Sequence, residues 1–258
     1  MLATEQGLPV EDPGEQETGS GKRQYVRDMF TAIAPRYDFL NHLLSLNIDR
    51  RWRREAVALL DWQRAPAGSY LDCCAGTLDL AATLGNAPGF AGHVVGADFV
   101  LPMLVRGAGK SPQVIPVTAD ALELPFADGH FDGATVGFGV RNLGNLDAGL
   151  RELHRVIKPG ARLVILEFTT PRWQPMRAAY FMYFRHILPL IGRLVSKHTT
   201  AYTYLPESVL SFPEPDALSA RMVGAGFTDV TYRRLTGGIC ALHCGRRATG
   251  DGRRDREL

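Results

Sequence analysis

Residues 69–79, SYLDCCAGTLD, run a β-type segment directly into a turn and a helix start. The same unit recurs downstream. β-type runs stand at 93–97 (HVVGA), 114–118 (VIPVT), 131–138 (FDGATVGF) and 161–168 (ARLVILEF). Helical segments separate them at about 78–86, 99–107 and 147–157, the last closed by Lys158-Pro159-Gly160. Strands alternating with helices predict an α/β fold with a mostly parallel, doubly wound sheet. Past residue 168 come an apolar, aromatic helix pair over 174–195, a helix at about 214–225, and β runs at 228–234 and 238–245. Thr236-Gly237-Gly238 joins these last two as an antiparallel hairpin on the sheet edge, which brings the sheet to seven strands. Upstream, apolar residues recur at helical spacing from Gln24 to Leu60, giving two or three short helices, with Asp49 read as N-cap of the third.

The whole chain has 258 residues, 45% hydrophobic and 22% charged, which is ordinary globular composition. Residues 1–21 hold five acids and no Lys or Arg; the 29 basic residues then face 22 acids over 22–258, about +7. That balance suits an anionic ligand or a membrane surface and falls short of a dedicated nucleic-acid binder. The reading divides the chain into a disordered tail (1–21), a domain (22–247, with a helical cap over 22–62) and a second tail (248–258). Four cysteines make no disulfide framework or zinc signature. Cys73 and Cys74 are expected on opposite faces of a strand. The longest uncharged run, 80–97, contains four glycines and Pro88 and is no membrane span. No basic region followed by an apolar stretch opens the chain, so a cytoplasmic location is expected.

Open α/β sheets bind ligands beyond the carboxyl ends of their strands. Gly76 lets a ligand approach the backbone there, and Thr77 offers a hydroxyl at the coming helix N-terminus. The turn is not GxGxxG, which argues against a dinucleotide. Asp98 ends the second β run, where it can accept both ribose hydroxyls of an adenosine or cap the next helix. Asp120 follows the third, suited to an adenine amino group, with the Ala121 N–H for a ring nitrogen. Three strand ends each carry a group fitted to a different part of one nucleoside.

The order D-x-x-x-G-T, A-D, A-D-A-x-x-L-P-F, F-D and R-V-I-K-P-G resembles a class I S-adenosylmethionine-dependent methyltransferase, with its Rossmann-like sheet. Residues 29–54, the segment Gly137-Phe138-Gly139-Val140-Arg141-Asn142, 155–169, and the tail from Tyr202-x-Tyr204-Leu205 to His243 resemble the ubiquinone/menaquinone C-methyltransferase family. Resemblance spans roughly 24–247. It implies contacts from Thr77, Asp98, Asp120 and Ala121 to S-adenosylmethionine; the sequence shows no metal-binding cluster, and SN2 methyl transfer needs no metal. It implies C-methylation of a polyprenyl hydroquinol, demethylmenaquinol to menaquinol, with the 2-polyprenyl-6-methoxy-1,4-benzoquinol of ubiquinone synthesis as the alternative acceptor and a non-catalytic scaffold as the alternative function. Leu78 stands where the family has Gly in its G-T-G turn, and Leu78→Gly is expected to be tolerated. Gly137 stands where it often has Ser, and Ala161 replaces a second Gly.

Such chemistry needs a phenolic proton to leave as the ring carbon attacks, so an anion-stabilising cation or a base is required. Arg141 fits the first need, unless it only pairs with Asp147 or Glu152. Asn142 can orient a hydroxyl or merely turn the chain, and Tyr37 can donate from the N-terminal helices or merely pack. His42, His154, His186, His198 and His243 are candidate bases. Residues 178–195 read as a core helix or a lipophilic lid, and Arg50, Arg51, Arg53 and Arg54 as a solvated or membrane-facing cluster. The expected partner is the lipophilic quinol; the reading leaves open peripheral contact at the inner face of a membrane and a homodimer.

Overall fold

A computed structural model describes residues 19–34, 45, 47–183 and 200–249. Seven strands form one sheet: β1 (Ser69–Cys73), β2 (His93–Asp98), β3 (Val114–Thr118), β4 (Phe131–Gly137), β5 (Ile157–Phe168), β6 (Phe227–Leu235) and β7 (Cys240–Arg247). Their order is β3-β2-β1-β4-β5-β7-β6, parallel from β3 to β5, with β7 antiparallel to both β5 and β6. Pro116 lies within β3, the edge strand beside β2, and an edge strand tolerates the missing N–H.

Alternation along each strand builds a core on both faces. Tyr70 in β1 and Val164 and Leu166 in β5 pack on one face with Trp52 and Ala56 of α2 (Ile48–Leu59) and Leu80 and Leu84 of α3 (Asp79–Gly85). Leu71, Cys73, Leu163 and Ile165 pack on the other. There they meet Leu150 and Leu153 of α5 (Leu146–Val156) and Leu218 and Met222 of α8 (Pro215–Gly224). The remaining described helices are α1 (Gly19–Ile33), α4 (Leu101–Gly107), α6 (Gln174–Met182) and α7 (Thr200–Ser211).

Several local expectations change. α1 begins at Gly19, inside the stretch read as a tail. Asn47 flanks α2 at φ 61°, while Asp49 lies inside its first turn, accepting from Ser45 Oγ at 2.6 Å and pairing with Arg53. Arg53 is thereby buried between Asp49 and Asp79, leaving Arg50, Arg51 and Arg54 on the exposed face. Cys74 lies beyond the end of β1 at φ 55°, so strand alternation stops and both neighbouring cysteines belong to the same core cluster. α5 ends at Val156, and β5 starts at once because Ile157 pairs with Phe131. α7, which carries Pro206 inside it, was not read from the sequence. Of the 174–195 segment, 184–195 lies outside the described residues.

Candidate active site

The β1 loop is shaped by three left-handed residues, Cys74 (φ 55°), Gly76 (φ 51°) and Leu78 (φ 64°). Such φ values favour glycine, and Leu78 adopts one because its side chain is driven into the core. It is 1% exposed and fills space left by two glycines, since a Cβ on Gly96 would stand 2.3 Å from its Cδ2 and one on Gly107 2.9 Å from its Cγ. Leu78 therefore points away from the ligand side.

A cavity of about 780 Å³ opens where the β1, β2 and β3 ends meet. Gly76, Asp98, Asp120, Ala121 and Asn142 line it, so five expected residues from four separate chain segments converge. Thr77 is buried and is not in that lining. Tyr37, His42, His186 and His198 lie outside the described residues. His154 packs on Phe227, and His243 is buried with Nε2 3.1 Å from the Pro215 carbonyl; neither lines the cavity.

Asp98 is 8% exposed. Its Oδ2 accepts the Gly76 N–H and its Oδ1 the Val100 N–H, each at 2.8 Å. It braces the turn before α4 without capping that helix, whose flanking residue is Val100. Burial raises its pKa, and the amides of Val100, Gly76 and Phe99 pull back toward the charged form. A carboxylate offers about four lone-pair directions, so with three amides bound one remains for a ribose hydroxyl. Asp120 accepts the Leu122 N–H on Oδ1 at 2.9 Å, and its Oδ2 lies 2.6 Å from Arg23 Nη2. Cys74 also lines the cavity; its hydrogen bond with Cys73, then burial, raises its pKa and keeps the thiol protonated.

The opposite wall is the 137–144 segment. Arg141 and Asn142 sit in a single 3₁₀ turn, Val140–Asn142. Asn142 Oδ1 accepts from Tyr204 Oη at 3.0 Å. Arg141 pairs with neither acid considered from the sequence: Asp147 is bound to Arg221 and Glu152 to Arg155. Its partner is Glu167, Nη1 to Oε1 at 2.7 Å, and Nη1 also donates to the Phe138 carbonyl. Glu167 additionally accepts the Arg141 N–H at 3.3 Å and the Phe168 N–H at 2.9 Å. The pair is buried, with the guanidinium 5.4 Å from the Phe168 ring centroid and not in the cavity lining. Phe138 and Phe168 stack at 4.4 Å, and Trp52 flanks both at 6.2 and 6.4 Å. Phe138 itself lines the cavity, so this aromatic group adjoins it.

Arg23, Glu167 and Tyr204 were missed from sequence. Glu167 had a readable signal, a lone acid inside the apolar run LVILEF. Among the described residues no group of three His, Cys, Asp or Glu could hold a metal.

The cavity fits S-adenosylmethionine on these observations. Gly76 and Gly137 present bare backbone to it, and the carboxylates of Asp98 and Asp120 line it.

Comparison with known proteins agrees. The solved structure of the [4+2]-cyclase SpnF superposes with TM-score 0.65 at 16% identity, covering 88% of this chain and 97% of that one. A SAM-dependent methyltransferase from Thermotoga maritima gives TM-score 0.57 at 17% identity, covering 85% and 98%. Both share the fold. In sequence, the demethylmenaquinone methyltransferase of Thermus thermophilus is 49% identical over 224 residues, 85% of this chain and all of the relative. The demethylmenaquinone methyltransferase of Deinococcus radiodurans is 46% identical, covering 87% and 93%. The ubiquinone/menaquinone biosynthesis C-methyltransferase UbiE of Geobacter sulfurreducens is 44% identical, covering 87% and 89%. Residues 18–247 match a single family throughout. The chain belongs to the ubiE/COQ5 methyltransferase family.

Proposed function

We propose that this protein methylates a ring carbon of a reduced polyprenyl quinone, converting demethylmenaquinol to menaquinol. The observation that carries the reading is the convergence of Asp98, Asp120 and Gly76 on one cavity whose far wall holds Asn142. Relatives named for demethylmenaquinone, at 49% and 46% identity, support a naphthoquinol over a benzoquinol acceptor.

S-adenosylmethionine supplies a methyl group activated on a sulfonium. Asp98 takes a ribose hydroxyl, Asp120 and the Ala121 N–H take the adenine, and Gly76 lets the chain approach the backbone. The acceptor's phenolic hydroxyl, with a pKa near ~10, gives its proton to water before or as the ring carbon attacks the sulfonium methyl; S-adenosylhomocysteine leaves, and the hydrogen on the methylated carbon departs to water as the ring regains aromaticity. Arg141, whose guanidinium sits behind the cavity lining, favours the phenolate through space rather than by direct contact, and Glu167 holds that guanidinium in place. Asn142, with its carbonyl oxygen occupied by Tyr204, turns its NH₂ to the acceptor. Phe138 and Phe168 offer the quinol ring an aromatic surface, and Tyr37 donates to a ring oxygen. No described helix is long and apolar enough to cross a membrane. Peripheral docking at the cytoplasmic face then brings the cavity to a lipid acceptor.

The test offers reduced demethylmenaquinol and the reduced demethyl-benzoquinol, in mild detergent, with methyl-labelled S-adenosylmethionine. Label is expected on a ring carbon of the naphthoquinol. Cofactor binding without methylation of either quinol would refute the reading.

A further inference from the structure

Lys22 and Arg23 are consecutive residues of α1, about 100° apart around the helix, yet both reach the site. Arg23 Nη2 lies 2.6 Å from Asp120 Oδ2, at the adenosine end. Lys22 Nζ lies 3.2 Å from the Arg141 carbonyl and 3.2 Å from the Leu143 carbonyl, which flank Asn142. The helix that carries them is anchored independently. Val26 is fully buried and lines the cavity, and the Tyr25 ring packs at 5.7 Å on Tyr204, the residue that holds Asn142.

We propose that Lys22 and Arg23 are positioning residues that divide the methyl-transfer site between them. Arg23 sets the adenine-facing carboxylate, and Lys22 sets the turn bearing Arg141 and Asn142. The inference rests on the methyltransferase reading above. Its physical basis is orientation. The Leu122 N–H holds one Asp120 oxygen and Arg23 the other, which fixes the carboxylate plane while leaving lone pairs for an amino group. One ammonium bridging the carbonyls on either side of Asn142 ties α1 to a 3₁₀ turn whose other supports are its own backbone bonds, Glu167 and Tyr204. Displacing a positioned group by an ångström can cost about a hundred-fold in rate, so a brace on this turn acts on turnover. A brace on Asp120 acts on cofactor affinity.

The test compares Arg23→Gln, Arg23→Lys, Lys22→Met and Lys22→Arg in the full chain. It measures S-adenosylhomocysteine affinity by calorimetry, kcat and KM with the reduced quinol, melting temperature, and amide hydrogen exchange over residues 140–143. Arg23→Gln should weaken S-adenosylhomocysteine about three- to five-fold, the scale of a partly exposed ion pair, with kcat at saturating cofactor within two-fold. Lys22→Met should leave that affinity within two-fold, lower kcat about ten-fold, and speed exchange at the Arg141 and Asn142 amides. The conservative variants should recover most of each loss. Tighter S-adenosylhomocysteine binding in Arg23→Gln would make Arg23 a competitor of the adenine and overturn its half. Unchanged exchange and turnover in Lys22→Met would overturn the other, and identical profiles for both variants would overturn the division. Calorimetry and exchange need no turnover. A wild-type protein that methylates no quinol therefore counts against the functional reading and leaves this one decidable.

Discussion

Replacing Leu78 by glycine separates what the family pattern suggests from what this structure requires. Glycine is the residue usual in the related turn, and φ 64° at Leu78 is strained for any side chain, so the change should relieve about 1–2 kcal/mol. Against that, the side chain is 1% exposed and sits against Gly96 and Gly107, two positions with no Cβ to collapse inward. Emptying a buried leucine site that cannot relax costs about 3–5 kcal/mol. Glycine's greater freedom in the unfolded chain adds about 0.5–1 kcal/mol. The net expectation is a loss of about 2–4 kcal/mol, or about 5–15 °C in melting temperature for a chain of this size. The expectation of tolerance is thus reversed. Thermal melting and urea titration read the stability, and calorimetry at a temperature where the variant is folded reads the cofactor. Affinity should stay within about two-fold, because Leu78 does not line the cavity. A variant melting at or above the wild-type temperature would refute the packing argument.

Asp98→Ala should weaken S-adenosylmethionine by about 1.5–3 kcal/mol and also lower the melting temperature, because the Gly76 and Val100 amides lose their acceptor; unaltered affinity in calorimetry would remove Asp98 from the site. Arg141→Ala would strand Glu167 as a buried unpaired carboxylate, at a cost of about 3–5 kcal/mol. The informative variant is therefore Arg141→Lys, expected to lower kcat at least ten-fold with S-adenosylhomocysteine affinity unchanged. Full turnover in Arg141→Lys would take the guanidinium out of the chemistry. Burial pushes the His243 pKa down from 6.5 to about 4. The unfolded chain therefore takes up a proton between those values that the native protein does not. The neutral ring's contribution, on the order of 3 kcal/mol, is present above pH 6.5 and lost as pH falls toward 4. Wild type should lose its stability margin over His243→Gln across that window in urea titrations, and a margin independent of pH would contradict the assignment.

The periodicity of 69–79 and its repeats determined the sheet, because a strand buried on both faces followed by an amphipathic helix leaves few ways to cover apolar surface. It also marked the end of the sheet at which the cavity opens. Gly76, Asp98 and Asp120 stand at strand termini, and a parallel sheet brings all such termini to one edge. Other features needed the folded chain. Sequence spacing gave Arg141 two nearby acids within one helix turn or two of α5, yet both are taken by Arg221 and Arg155. Its partner Glu167 lies 26 positions away, brought alongside by the parallel pairing of β4 with β5. Lys22 reaches the Arg141 carbonyl across a separation of 119 residues, which no local pattern encodes. Leu78 looked like a defect in a glycine turn and is a core residue, because Gly96 and Gly107, on β2 and α4, vacate the space it fills. Alternation and capping act between neighbours in the chain and can be read from its order. The pairing of buried charges and the filling of shared volume are decided only when distant segments meet.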